Sequence, residues 1–270
     1  MNNKAVKTEL DIQSKYDEGE IKSHRKMEQL SGGLCYIEDV VSIEGEGISS
    51  FVLGAGWLLE LMELESGEMF FFRGDEEVRP NKKHFGVLYP PFTLMRVCVK
   101  NMKGRFRGMA GTVASFPLKR DTLPMIFETD FNEPLKDISQ LKKILDSCCN
   151  PQPFEMNPSA SLLSIKAKRL IDENYQIYPS IARIADRLGV THEHLTRQFK
   201  RDYSLSPNTY LHQVRVAEAT FRLSKGEEII AVSHDVGYND LSRFYKQFRK
   251  ATKQAPGVCQ MNKGKHRADK

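Results

Sequence analysis

The sequence predicts an α+β chain of two domains: an N-terminal β-barrel with following helices, and an all-α C-terminal domain whose long helix joins two helix-turn-helix units. Three observations predict it. Short β-branched and aromatic runs crowd residues 30–115, apolar residues at helical spacing take over beyond residue 161, and one helix-turn-helix pattern occurs twice in that helical half. A chain of 270 residues is long enough for two cores of ordinary size.

The opening stretch, MNNKAVKTELDIQSKYDEGEIKSHRK, has no apolar core of a signal peptide and reads as an extension over 1–30. No segment approaches the ~18 uninterrupted apolar residues of a membrane span, so the expectation is a soluble, cytoplasmic protein with no membrane partner. The runs LCYIEDVVSI, GWLLELMEL, EMFFFRG, HFGVLYPPF and TLMRVCVKN, separated by Gly, Pro, Asn or charged turns, read as strands of a barrel. In PLKDISQLKKILDS, Leu135, Ile138, Leu141 and Leu145 share one face of a helix. That stripe serves either the core or a homodimer through 135–145, closing a sensor and dimerisation domain at 31–147. Residues 148–161, CCNPQPFEMNPSAS, have three prolines and no periodicity and read as a linker. The five cysteines, at 35, 98, 148, 149 and 259, form no C-x-x-C pair and suit a reducing compartment. The vicinal Cys148 and Cys149 read as ordinary thiols.

The helical half follows as 162–260, with a basic tail at 261–270. Leu163, Ala167, Leu170 and Ile171 line a first helix; Ser180 and Thr191 stand as caps of the next two; Ser206 and Pro207 open a long fourth, which ends near Gly226. ARIADRLGVTHEHLTRQFKR and IAVSHDVGYNDLSRFYKQFRK then share an order: a small-residue helix, a turn glycine (Gly189, Gly237), a polar cap, and an apolar residue followed four later by phenylalanine. From Ser161 onward, Lys and Arg number 20 against 11 Asp and Glu, a surplus of nine, while the rest holds 20 against 24. A basic domain joined to a mildly acidic one points to a polyanion for the first and another task for the second.

The cluster His192, Glu193 and His194 invites a zinc reading, which geometry rejects: residues two apart on a helix point about 200° apart, so the histidines cannot close on one ion. No metal and no cofactor is expected. On the helix after Thr191 only Leu195, Phe199 and Tyr203 need burial, which frees His192, Glu193, Thr196, Arg197 and Lys200 for a DNA groove or its phosphates. The corresponding free residues of the second copy are Ser242, Arg243, Lys246, Arg249 and Lys250, with Tyr245 beside them. Arg197 and Arg243 suit bidentate contact with guanine; His192, Lys200, Arg201, Tyr245, Arg249 and Lys250 suit phosphates.

Taken together, the tandem units, the IAxxxG before the first turn, VSHDVGY and RFYKQFRK in the second unit, and the Ser-Pro after the first unit resemble the AraC/XylS family of bacterial transcription regulators over about the last 100 residues. The resemblance implies two recognition helices in successive major grooves of double-stranded DNA, with base contacts at Glu193, Thr196 and Arg197 and at Ser242, Arg243 and Lys246. It implies an N-terminal signal-receiving domain and, for an activator, RNA polymerase as a further partner. Ser233, Lys253, Cys259 and Gln260 depart from the family pattern and are expected to loosen the last turn of the second unit. GDEEVRPNKKHFGVLYPPFTLMRV resembles the second half of a cupin barrel; with His84 as its lone histidine, it has no metal set, and no enzyme is expected. A small-molecule effector would meet Trp57, Phe71, Phe72, Tyr89 and Phe92, with Arg96 or Lys100 for an acidic group. Alternatively those rings fill the barrel and a regulatory protein acts there. The rival of another class is a DNA-directed, cysteine-dependent repair methyltransferase, with Cys98 beside Arg96 and Lys100.

Overall fold

The computed structural model describes residues 7–260 except 17, 18, 117, 119–121, 134, 156, 178 and 179; for 7–16 and 19–21 it describes the backbone alone. The basic tail at 261–270 lies outside the described residues. The chain divides into two compact units, Met1–Phe51 with Gly56–Met156, and Val52–Ala55 with Asn157–Lys270.

The first unit is built on one sheet of ten strands: β1 (Lys7–Tyr16), β2 (Gly19–Gln29), β3 (Cys35–Glu44), β4 (Glu46–Val52), β5 (Trp57–Arg73), β6 (Glu76–Val78), β7 (His84–Tyr89), β8 (Leu94–Gly111), β9 (Met125–Glu128) and β10 (Cys149–Pro153). Its order is β1-β2-β3-β8-β5-β7-β9-β10, with β4 on β8 and β6 on β5. The two ends of that path do not pair, so the sheet is open and the expected closed barrel is not formed. Both edges are built to stay edges. The outer hairpin, KTELDIQSKY against GEIKSHRKMEQ, is dense in charge, and β10 contains Pro151 and Pro153, which lack the N–H that a further strand would need.

GWLLELMEL and EMFFFRG, expected as two strands, form the single β5, whose pairing with β8 shifts register around Leu64, Ser66 and Glu68. Residues 148–161, expected as linker, contribute β10, paired with β9. One face of the sheet carries Trp57, Leu59, Leu61, Leu88, Met109 and Phe127 onto a helix, α1 (Ile138–Asp146). Asp137 and Gln140 cap α1 reciprocally: the Asp137 carboxylate accepts from the Ser139 and Gln140 amides and the Gln140 side chain accepts from the Asp137 amide. Of the apolar stripe, Leu135 and Leu141 are buried in this core with Ile144, Leu145 packs against it, and Ile138 is exposed. Glu60 also lies in the sheet: burial pushes its carboxyl up to about 7, against the pull of Arg25.

Beyond Asn157 the described regular structure of the second unit is helical: α2 (Leu162–Asn174), α3 (Ile181–Arg187), α4 (His192–Tyr203), α5 (Pro207–Ser224), α6 (Ile229–Asp235), α7 (Leu241–Thr252) and α8 (Pro256–Gln260). The α+β composition and the tandem arrangement of α3–α4 and α6–α7 around α5 follow the sequence expectation. No described helix is long and apolar enough to cross a membrane.

Candidate nucleic-acid interface

Each helix-turn-helix unit is closed by a glycine and opened again by a polar cap. Gly189 (φ +68°) and Gly237 (φ +97°) take left-handed backbone between the two helices of their units. Thr191 Oγ1 then accepts from the His194 amide at 3.2 Å, and the Asp240 carboxylate from the Ser242 amide at 2.8 Å, so α4 and α7 begin with satisfied first turns. Ser180, expected as a side-chain cap of α3, sits at the N-cap but makes no cap hydrogen bond.

Both second helices bury a narrow aromatic face. Leu195, Phe199 and Tyr203 of α4 are buried, with Phe199 against Tyr203 and Tyr210; Phe244 and Phe248 of α7 are buried, with Phe244 against Tyr238. Most of the remaining side chains on these helices are exposed. His192, Glu193, Arg197, Lys200 and Arg201 are exposed on α4, and Ser242, Arg243, Lys246, Arg249 and Lys250 on α7. Tyr245 is half-buried, edge-on to Phe244. Thr196 differs from the other expected contacts: its Oγ1 is shielded and has no hydrogen-bond partner among the described residues.

Some cations of the unit are paired: Lys168 with Asp172 at 2.7 Å, Arg169 with Glu173 at 2.8 Å, and Arg222 with both Glu227 and Asp235. Among the described residues Arg197, Lys200, Arg243, Lys246, Arg249 and Lys250 have no ion-pair partner within the chain. Arg201 is held by Gln198 at 2.7 Å, and the His192 imidazole stands 3.9 Å from the Glu193 carboxylate. No group of three or more His, Cys, Asp or Glu suited to a metal ion occurs among the described residues.

The scaffold fixes both helices from behind. Asp202, at the end of α4, accepts from the amide and hydroxyl of Ser161, the cap of α2, and from Gln198. Burial pushes the Asp202 carboxyl up, but these hydrogen bonds together outweigh it and hold the group down at about 2. Arg215 of α5 is buried; its Nε donates to the Tyr175 carbonyl at 2.7 Å and its guanidinium faces the Tyr238 ring, so α5 ties the end of α2 to the turn of the second unit. The residues expected to loosen the last turn do not. Lys253 adopts the left-handed cap conformation (φ +60°) with its amide on the Arg249 carbonyl, Ser233 Oγ donates to the Ile230 carbonyl, Cys259 is buried, and Gln260 donates to the Glu227 carbonyl. Sequence reasoning missed Asp202, Arg215 and His212, whose roles depend on which helices meet.

In the first unit the expected pocket residues are distributed rather than gathered. Trp57 stacks on Phe116 in the α1-facing core, while Phe71 stacks on Phe154, which Tyr89 meets edge-on. Arg96 lies over the Phe72 ring and donates to the Gly74 carbonyl, Lys100 pairs with Glu46 at 3.1 Å, and Phe92 is half-buried with φ +59°. Cys98 is buried between Phe70 and Phe72, and burial pushes its thiol up, the reverse of an activated nucleophile. The Cys148 thiol is pushed up to about 12 by burial, with Cys149 adding to it.

Residues 184–261 match the helix-turn-helix domain family model. The transcriptional activator RhaS of Pectobacterium carotovorum is 34% identical over 87 residues, 32% of this chain and 31% of that one. The lactose operon transcription activator of Staphylococcus xylosus is 33% identical over 81 residues, 30% of this chain and 29% of that one. A solved structure of a probable AraC family transcriptional regulator from Rhodopseudomonas palustris aligns with 37% of this chain and 96% of its own, at 20% identity and a TM-score of 0.35. The chain thus spans about a third of the length of the curated relatives it matches. Residues 184–261 are therefore a helix-turn-helix domain.

Proposed function

We propose that this chain is a sequence-specific, DNA-binding transcription regulator, acting as an activator, whose N-terminal sheet receives a signal. The observation that carries the reading is the pair of capped helices, α4 and α7, each buried along a narrow aromatic face and presenting cations, Arg197 and Lys200 on one and Arg243, Lys246, Arg249 and Lys250 on the other, that have no ion-pair partner among the described residues. A duplex offers such cations phosphates, and the grooves admit a helix. Glu193, Arg197, Ser242, Arg243 and Lys246, with Thr196 as the least accessible, are then the base readers. His192, Lys200, Arg201, Tyr245, Arg249 and Lys250 position the backbone. The two helices would read blocks about 34 Å apart, one turn of DNA. The names of the matched relatives support activation, and RNA polymerase would be the partner of that step. Nothing in the first unit favours the methyltransferase, since the Cys98 thiol is buried and its pKa is raised. For the signal, the ring pairs of the sheet support packing, so either a small molecule or a regulatory protein would act on an already filled core. The homodimer through 135–145 would have to form on the exposed Ile138 side of α1.

Selection from randomised duplexes tests the reading. The expected outcome is a motif of two blocks one turn apart, with Arg197→Ala blurring one block and Arg243→Ala the other. Each loss should cost about 1–3 kcal/mol of discrimination. A single block, or equal binding to all sequences, would sink the tandem readout.

A further inference from the structure

A cavity of about 150 Å³ lies between the first turns of α5 and one flank of α7, lined by Asn208, Thr209, His212, Gln213, Gln247, Lys250 and Ala251. Two buried polar atoms here have no hydrogen-bond partner among the described residues, the Nε2 of His212 and the Oε1 of Gln213. His212 is 8% exposed, and its other ring nitrogen, Nδ1, is already engaged, 3.0 Å from the Tyr238 hydroxyl. With the Tyr238 hydroxyl as the donor of this contact, Nδ1 accepts and the imidazole proton sits on Nε2. Nε2 is then an unspent buried donor, which a guest with an acceptor oxygen would satisfy.

The surroundings select the guest. Burial holds the His212 imidazole down at about 4, and the cations Arg243, Arg215 and Lys250 push the same way, with no acid among the groups acting on it. Three positive charges converge on a neutral donor. Asn208 and Thr209 belong to the first turn of the 18-residue α5, where the helix dipole adds to the positive potential. Lys250 at the rim has no ion-pair partner among the described residues.

We infer that this cavity is a phosphate site, with His212 Nε2 and Lys250 as its donors, and that its occupant is a phosphodiester of the bound duplex, gripped beside the second recognition helix. The choice of source rests on the DNA-binding reading above, because Lys250 and Arg243 belong to the same helix as the proposed base readers. The role of His212 is to anchor the backbone, so its loss weakens binding at one phosphate without altering the preferred sequence.

Single methylphosphonate replacements, each removing one phosphate charge, are placed along the selected duplex and affinities measured for the full-length protein, His212→Phe and Lys250→Ala. Phenylalanine keeps the ring against Tyr238, and circular dichroism verifies folding; Lys250→Ala changes only the exposed rim. In the native protein one position should cost about tenfold in affinity, and that same position should cost nothing further in either variant. In parallel, inorganic phosphate is titrated while the His212 ring nitrogens are followed by NMR. If no methylphosphonate position couples but phosphate shifts the ring signals in the native protein and not in Lys250→Ala, the site stands with free phosphate as its source and the duplex assignment is overturned. If neither occurs, the cavity holds water and the proposal falls. A protein that selects no duplex sequence at all defeats the DNA reading, while the phosphate titration still decides the site.

Discussion

The two turn glycines look equivalent in sequence and are not equivalent in space. At Gly189 a Cβ would meet nothing within 4 Å, so only the left-handed backbone resists a side chain. At Gly237 a Cβ would stand 2.5 Å from the Gln176 carbonyl oxygen and 2.7 Å from Arg215 Nη2, groups that hold α5 to the end of α2. Gly189→Ala should therefore cost about 1 kcal/mol, and Gly237→Ala roughly 3 kcal/mol or more, as read from urea unfolding. Equal costs would mean that the second turn shifts to accept the methyl group. The same reasoning runs in reverse at Ser204 and Lys253, which end α4 and α7 with φ of +60°. Ser204→Gly and Lys253→Gly should each raise stability by about 0.5–1 kcal/mol, because glycine adopts that conformation without steric cost. A fall in the unfolding midpoint for either would show that its side chain contributes more than its backbone costs.

Among elements, those whose chemistry is local were legible in the sequence. Thr191 and Asp240 as caps, Gly189 and Gly237 as turns, and the Leu195–Phe199 and Phe244–Phe248 spacings specify α4 and α7 without reference to the rest of the chain. The β1–β2 hairpin was not legible, because KTELDIQSKY and GEIKSHRKMEQ are charged and offer no apolar run to separate a strand from an extension. Nor was closure of the sheet, which depends on whether its first and last strands pair, a fact of register and edges rather than composition. Asp202 belongs with the illegible contacts, since Ser161 lies 41 residues away. It supports a prediction about how α4 is docked. Its folded carboxyl titrates at about 2 against an ordinary 3.8, so its contribution is complete above about pH 4 and is lost as the pH falls toward 2. At neutral pH Asp202→Asn should cost roughly 2 kcal/mol, and the stability curves of the two proteins should converge in acid. A constant gap down to pH 2 would assign the cost to geometry instead of charge.

At the scale of the whole molecule the charge is divided, with the surplus of basic residues beyond Ser161; α7 has four Lys and Arg and no acid, α4 three against two acids, and both carry a basic pair at the same place. Lys200 and Arg201 follow Phe199 on α4 just as Arg249 and Lys250 follow Phe248 on α7. If both helices lie on one duplex, each pair neutralises phosphates and releases counterions, and the logarithm of affinity falls with the logarithm of salt at about 0.9 per phosphate neutralised. Replacing Lys200 and Arg201 by alanine should therefore reduce the slope by roughly 2, replacing Arg249 and Lys250 should do the same, and the fourfold variant should lose roughly 4. The selected motif should persist through all three, because phosphate contacts carry no base information. Fluorescence anisotropy on the selected duplex between low and physiological salt measures all four slopes. Unequal losses would place one helix on the DNA and the other off it: a slope that moves for the α4 pair alone would mean that α7, despite its cap and its aromatic face, binds something other than the adjoining groove.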